Sequence, residues 1–208
     1  MFTERKSTDL TSRGYRMRRR AENVTATHLR IVEATVALHG TVGPAATTVS
    51  AIAEAAGVTR LTVYRHFPDE EALFAACTAH WASGLPLPDP AGWAAEPDPT
   101  ARLRLALGEL FRFYRAGEPM LANAQRDRDA LPERIRAGAA AAEEHRLGLL
   151  LGPFRARGSR RRRLRATIAH ATSFATWRSL CHEYGLRDEE AVDLMIALVS
   201  ASASPGRP

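Results

Sequence analysis

Residues Thr47–Leu73, TTVSAIAEAAGVTRLTVYRHFPDEEAL, decide the fold. Val49, Ile52, Ala53 and Ala56 recur at i, i+3, i+4 and i+7, one apolar stripe on a short helix. Thr48 precedes the stripe with a hydroxyl suited to capping the helix's free N–H groups. Gly57 ends the helix where a positive φ would strain any other residue, and Thr59 can cap the next one. That second helix offers a core only Val63 and Phe67. Arg60, Leu61, Thr62, Tyr64, Arg65 and His66 are left facing outward. Two helices joined by a short glycine turn, the second polar and basic, make a helix-turn-helix, whose second helix fits the DNA major groove.

Upstream, Arg30–Leu38 places Ile31, Ala34, Thr35 and Leu38 on one helical face. With Thr48, Ile52-Ala53, Ala56-Gly57-Val58-Thr59, Tyr64-Arg65-His66-Phe67 and Leu73, these residues resemble the TetR family of bacterial transcriptional regulators over residues 24–83. The resemblance implies an all-α protein with an N-terminal three-helix DNA-binding domain and a C-terminal helical domain for ligand binding and dimerisation. It also implies a regulator, a repressor released by a small molecule, with the last two helices building a four-helix dimer interface. Thr48, Thr59, Tyr64 and His66 carry over as phosphate contacts. Arg60, Leu61 and Thr62 are the base-reading candidates, and Arg65 completes the DNA-binding set. Two departures alter this picture. Pro68-Asp69-Glu70-Glu71 stands where the family usually has Lys or a similar group, and Leu61 where it often has a small residue.

The bulk composition agrees with a nucleic-acid partner. The 208 residues carry a net charge of +6, with arginines crowded at Arg13, Arg16, Arg18, Arg19 and Arg20 and again from Arg155 to Arg163. Two cysteines make no disulfide framework, the N-terminus lacks an apolar signal segment, and no apolar run approaches a membrane span. A cytoplasmic bacterial protein, on the nucleoid when bound to DNA, is expected. Cys77 and His80 have the i, i+3 geometry of half a zinc site, but both fall on the apolar stripe Leu73, Ala76, Cys77, His80 with no second pair. No metal or cofactor is expected, and His80 is read as a core histidine. No catalytic motif appears, so no enzyme activity is expected.

The domain reading is an unstructured basic arm over 1–23, the DNA-binding domain over 24–83, a proline-rich linker loop over 84–99 and the C-terminal domain over 100–204. Helices are expected over Thr25–His39, Thr100–Ala116, a short piece after Pro119, Pro132–Leu151, Arg162–His182 and Asp188–Ser202, with a basic connector between the third and fourth of the C-terminal ones. On the Arg162–His182 helix, small residues Thr172, Ala175, Thr176 and Ser179 form a face expected, with Met195 and Val199, to make the dimer interface. Phe111, Tyr114, Met120, His170, Phe174 and Trp177 are the candidate lining of a ligand pocket for an apolar or aromatic guest. The expected partners are therefore double-stranded DNA at a near-palindromic operator, a second copy of the chain and a small apolar ligand. The alternatives are an architectural DNA-binding protein without an effector, and an all-α enzyme with a coincidental motif.

Overall fold

The computed structural model describes residues 5–204, and every regular element among them is helical. The helices are α1 (Arg5–Thr41), α2 (Val49–Ala55), α3 (Arg60–His66), α4 (Glu70–Ser83), α5 (Pro90–Ala95), α6 (Pro99–Arg126), α7 (Glu133–Leu151), α8 (Gly158–Ala171), α9 (Phe174–Trp177) and α10 (Asp188–Ala203). A π-helical segment, Arg178–Glu183, continues α9. The chain divides into two compact units between Trp81 and Ala82, inside the last turn of α4. Among the described residues no helix is long and apolar enough to cross a membrane.

In the first unit Ile31, Val32 and Ala34 of α1, Ile52, Ala53 and Ala56 around α2, Val63 and Phe67 around α3, and Leu73 of α4 form one buried cluster. The expected arm is helical from Arg5, and α1 runs unbroken into the core of the first unit; residues 1–4 of the arm lie outside the described residues. No proline occurs between Arg5 and Thr41, and an Arg18–Glu22 pair four residues apart (2.9 Å) supports the helix on its solvent side.

The second unit is organised around α6. Its core joins Trp93, Leu103, Leu107, Leu110 and Phe111 to Leu150, Leu164, Ile168, Trp177 and Val199. Residues 84–99 are not all loop: they hold α5 and the start of α6, and Trp93 among them is buried in this core. Asp89 and Asp98 cap α5 and α6, with Pro90 and Pro99 in the first turn, where a missing N–H costs nothing. Trp93 of α5 is buried and donates its indole N–H to Glu109 (2.7 Å). Arg102 ties this corner to α7 by donating to the carbonyls of Glu96, Ala94 and Leu149 at 2.8, 3.1 and 3.0 Å.

Three further expectations are corrected. α6 passes through Pro119 rather than stopping before it; the proline is exposed, so water can serve the carbonyl that its ring leaves without a donor. The basic connector is short, and Arg160–Arg163 lie in the first turns of α8. The expected Arg162–His182 helix is broken at Thr172-Ser173, because the Ser173 hydroxyl accepts from the Thr176 N–H (3.1 Å) and starts a new helix.

At the far end Arg115 makes a two-pronged pair with Asp188 (2.6 and 2.9 Å), and the Trp177 indole donates to the same carboxylate (3.1 Å). The Arg115 hydrogen bonds, helped by Trp177, hold the Asp188 carboxyl below its ordinary value of 3.8. A carboxyl that binds its proton less tightly when folded contributes stability above about pH 4 and loses it as pH falls through the lowered value. Asp188→Asn should therefore lower the denaturation midpoint at pH 7 and flatten the decline on acidification, as urea unfolding from pH 7 to pH 3 would read. An unchanged pH profile would contradict this role.

Candidate nucleic-acid interface

The turn between α2 and α3 follows from Gly57. Its φ of +63° lets its N–H bond Glu54 O (3.1 Å) while the Val58 N–H bonds Ala53 O (2.9 Å), closing α2 and reversing the chain. Thr48 accepts from the Ala51 N–H (3.1 Å) and Thr59 from the Thr62 N–H (3.2 Å), so both threonines are N-caps. Each hydroxyl oxygen that serves a cap also carries a proton it can donate outward.

α3 buries Val63 and, at its end, Phe67. Arg60, Leu61, Tyr64 and Arg65 are exposed, with Leu61 70% accessible. An apolar side chain held that far into solvent makes no packing contribution, which suits a contact surface. Thr62 is half-buried and shares a hydrogen bond with the Thr59 hydroxyl (3.0 Å), so it belongs to the cap more than to the outward face. His66 is half-buried 5.9 Å from His28, whose ring lies 4.5 Å from Phe67. Burial, then the nearby His28 and Arg65, hold the His66 pKa below its ordinary value. The shift favours the neutral ring over the cation.

The sequence reading missed two residues of α1, Arg30 beside this turn and His28 beside the far end of α3. Arg30 reaches to within 4.0 Å of where a Cβ on Gly57 would stand and donates to Thr27 (3.3 Å). Residues this far upstream carry no local motif signal; only the packing of α1 on α2 brings them in. Asp69, in the acidic stretch after Phe67, caps α4 by accepting from the Ala72 N–H (2.7 Å).

Cys77 and His80 part company: Cys77 is buried and His80 exposed, since α4 turns that end of the stripe to solvent. The thiol meets His39 instead, with Sγ 3.5 Å from Nδ1, and burial pushes its pKa up to about 11.

In the second unit Phe111, Tyr114, Phe174 and Trp177 do come together, with ring centroids 5.5–6.4 Å apart. Their polar atoms are already engaged: the Tyr114 hydroxyl donates to Thr172 O (2.7 Å) and the Trp177 indole to Asp188. Met120 is half-buried and His170 exposed, its ring 3.3 Å from the Thr176 hydroxyl, so neither joins the buried rings. The small-residue face is divided. Thr172, Thr176, Met195 and Val199 are buried within the protomer, which removes them from any dimer surface. Ala175 lines a polar cleft with Gln125, Arg126, Arg178 and Glu183, and Ser179 is half-buried. The helix break at Thr172 is what turns that stripe inward.

A short helix held by two buried residues, its basic and apolar side chains outward beyond a capped glycine turn, is a helix-turn-helix, a candidate nucleic-acid interface. Residues 31–77 match the sequence model of bacterial regulatory proteins, tetR family. No curated protein matches the chain. Similar solved structures include a TetR-like transcriptional regulator from Rhodococcus sp. RHA1, 18% identical, covering 84% of this chain and 93% of that one with a TM-score of 0.61. PfmR, a TetR family transcriptional regulator from Thermus thermophilus, is 19% identical over 82% of this chain and 96% of its own, with a TM-score of 0.57. A TetR transcription regulator from Haloarcula marismortui is 19% identical over 86% and 97%, with a TM-score of 0.50. Residues 31–77 are thus similar to the tetR-family sequence model, and the chain shares the fold of these solved structures.

Arg60→Ala should relax preference at one or two base positions by about 1–3 kcal/mol, whereas Tyr64→Ala should weaken binding to all sequences alike. Selection from random duplexes with each variant checks both. An unchanged selected sequence for Arg60→Ala would remove that residue from the base readers.

Proposed function

We propose that the protein is a dimeric repressor that binds a near-palindromic operator through α3 and is released by a small molecule. The observation that carries the DNA-binding part is the outward quartet Arg60, Leu61, Tyr64 and Arg65 on a helix fixed by Val63 and Phe67. Arg60 is suited to bridge a guanine edge and Leu61 to press on a thymine methyl. Thr48, Thr59, Tyr64 and His66 supply phosphate contacts that set register without reading sequence. Exposed Arg18, Arg19 and Arg20 on the N-terminal extension of α1 add charge to the same domain and strengthen the salt-dependent component of binding.

One such three-helix unit offers too few contacts for a specific site, which favours a two-fold dimer with half-sites about one helical turn apart, roughly 34 Å. With Thr172 and Thr176 of the small-residue stripe buried, the outer side of α10 is the better candidate for the dimer surface. There Leu194, Ala197, Leu198 and Ala201 are exposed at i, i+3, i+4 and i+7, the two leucines 46% and 41% accessible. An apolar stripe of that length on a surface helix suits helix-on-helix association.

For the effector, the aromatic group of Phe111, Tyr114, Phe174 and Trp177 supports an apolar or aromatic guest. It adjoins the π-helical segment, a helix form often associated with functional sites. A ligand that favours one arrangement of this region shifts the protein away from its DNA-binding state.

Footprinting on a selected operator tests the proposal: two symmetric protected half-sites are expected, and one asymmetric half-site bound by a monomer would contradict it. Leu194→Glu with Leu198→Glu should give monomers in sedimentation that no longer hold the operator; an intact dimer would move the interface elsewhere. Trp177→Ala should alter induction while leaving operator affinity within about twofold, because the substitution lies outside the DNA-binding unit.

A further inference from the structure

Seven arginines lie between Arg155 and Arg165, and the DNA-binding reading uses none of them. Arg165 is paired with Glu144. For the other six, no carboxylate among the described residues lies within ion-pair distance. The first turn of α8 holds Arg160 and Arg161 with no acidic residue and no side-chain cap on its N-terminus. Cations there oppose the positive end of the helix dipole, and like charges in sequence repel one another. Arg160 is half-buried in this turn with its Nε shielded and lacking an acceptor. The helix is nonetheless held in place, since Leu164 and Ile168 are fully buried in the core.

These cations are not spread as a stripe. Arg160–Arg163 are consecutive on a helix and point to all sides, so no single face presents a line for a duplex backbone to follow. Arg161 instead converges with Arg155 and Arg157 on a concavity of about 630 Å³ in the turn between α7 and α8, walled also by Phe154 and Ala156. That volume lies within the range of small-molecule sites, about 300–1,000 Å³. Guanidinium groups bind phosphate oxygens in a two-pronged manner, and Phe154 gives the concavity an apolar wall for a planar group.

We propose that this arginine-walled concavity binds a small molecule bearing several phosphate groups and a planar apolar moiety, the chemistry of a nucleoside polyphosphate. The site lies wholly in the second unit and stands or falls independently of the operator reading.

Calorimetric titration of the full chain at low ionic strength tests it, with inorganic tripolyphosphate and adenosine triphosphate as probes. Both should bind saturably at one site per protomer, the nucleotide more tightly. Arg157→Gln with Arg161→Gln should weaken both by about tenfold or more, while Arg162→Gln, outside the concavity, should leave them unchanged. Phe154→Ala should erase the nucleotide's advantage over tripolyphosphate. Should the double variant fold poorly, competition on the unaltered protein decides: tripolyphosphate should displace the nucleotide, and a random-sequence duplex should not. No saturable binding would overturn the proposal, as would equal weakening by Arg162→Gln. So would displacement by the duplex, which would assign the surface to a nucleic-acid backbone.

Discussion

The burial of Val63 and Phe67 is the constraint on which the helix-turn-helix unit depends. α3 has seven residues, too few for a helix to persist in water alone. Its shape is held by the Thr59 cap and by those two side chains, buried with Ile31, Ile52 and Leu73. Each is worth about 1.5–3 kcal/mol of burial, comparable in sum to much of a domain's net stability. Because the anchors lie four residues apart on one side, the rest of the helix is free to carry contact chemistry. Economy of packing and exposure of the reading face are one property.

The second unit uses polar ties where the first uses apolar anchors. Arg102 collects three carbonyls from α5, its flank and α7, and Glu109 takes both the Trp93 indole and the Asp89 N–H. At the other end Asp188 gathers Arg115 and Trp177, with the guanidinium 5.6 Å over the indole ring. These bonds fix the first turns and the middle of α6 against its neighbours, and the aromatic group and π-helical segment lie beside Asp188. A rearrangement of that aromatic group must therefore work against an ion pair and a hydrogen-bonded tryptophan.

Legibility in the sequence follows the locality of the signal. The caps at Thr48 and Thr59, the positive φ of Gly57 and the inward pair of α3 are all readable, because each rests on residues within one or two turns. Several of the errors share one origin, the treatment of punctuation. Pro90 and Pro99 look like breakers in the sequence, yet each follows an aspartate cap and sits where proline is tolerated. Ser173 looks like helix interior, yet with Thr176 three residues on it restarts the chain and turns Thr172 and Thr176 inward. The stripe at Thr172, Ala175, Thr176 and Ser179 exists only on a continuous helix. Long-range partners such as Cys77 with His39, or Arg30 over Gly57, have no sequence signal at all.

The central claim is that α3 reads base edges in the major groove. Methylation interference on a selected operator tests it most directly, since guanine N7 lies in the major groove and adenine N3 in the minor groove. The account predicts that methyl groups at guanine N7 within each half-site block binding, and that Arg60→Ala removes this interference at one guanine position. Interference confined to adenine N3 would place recognition in the minor groove and contradict the assignment of α3 as the reading helix.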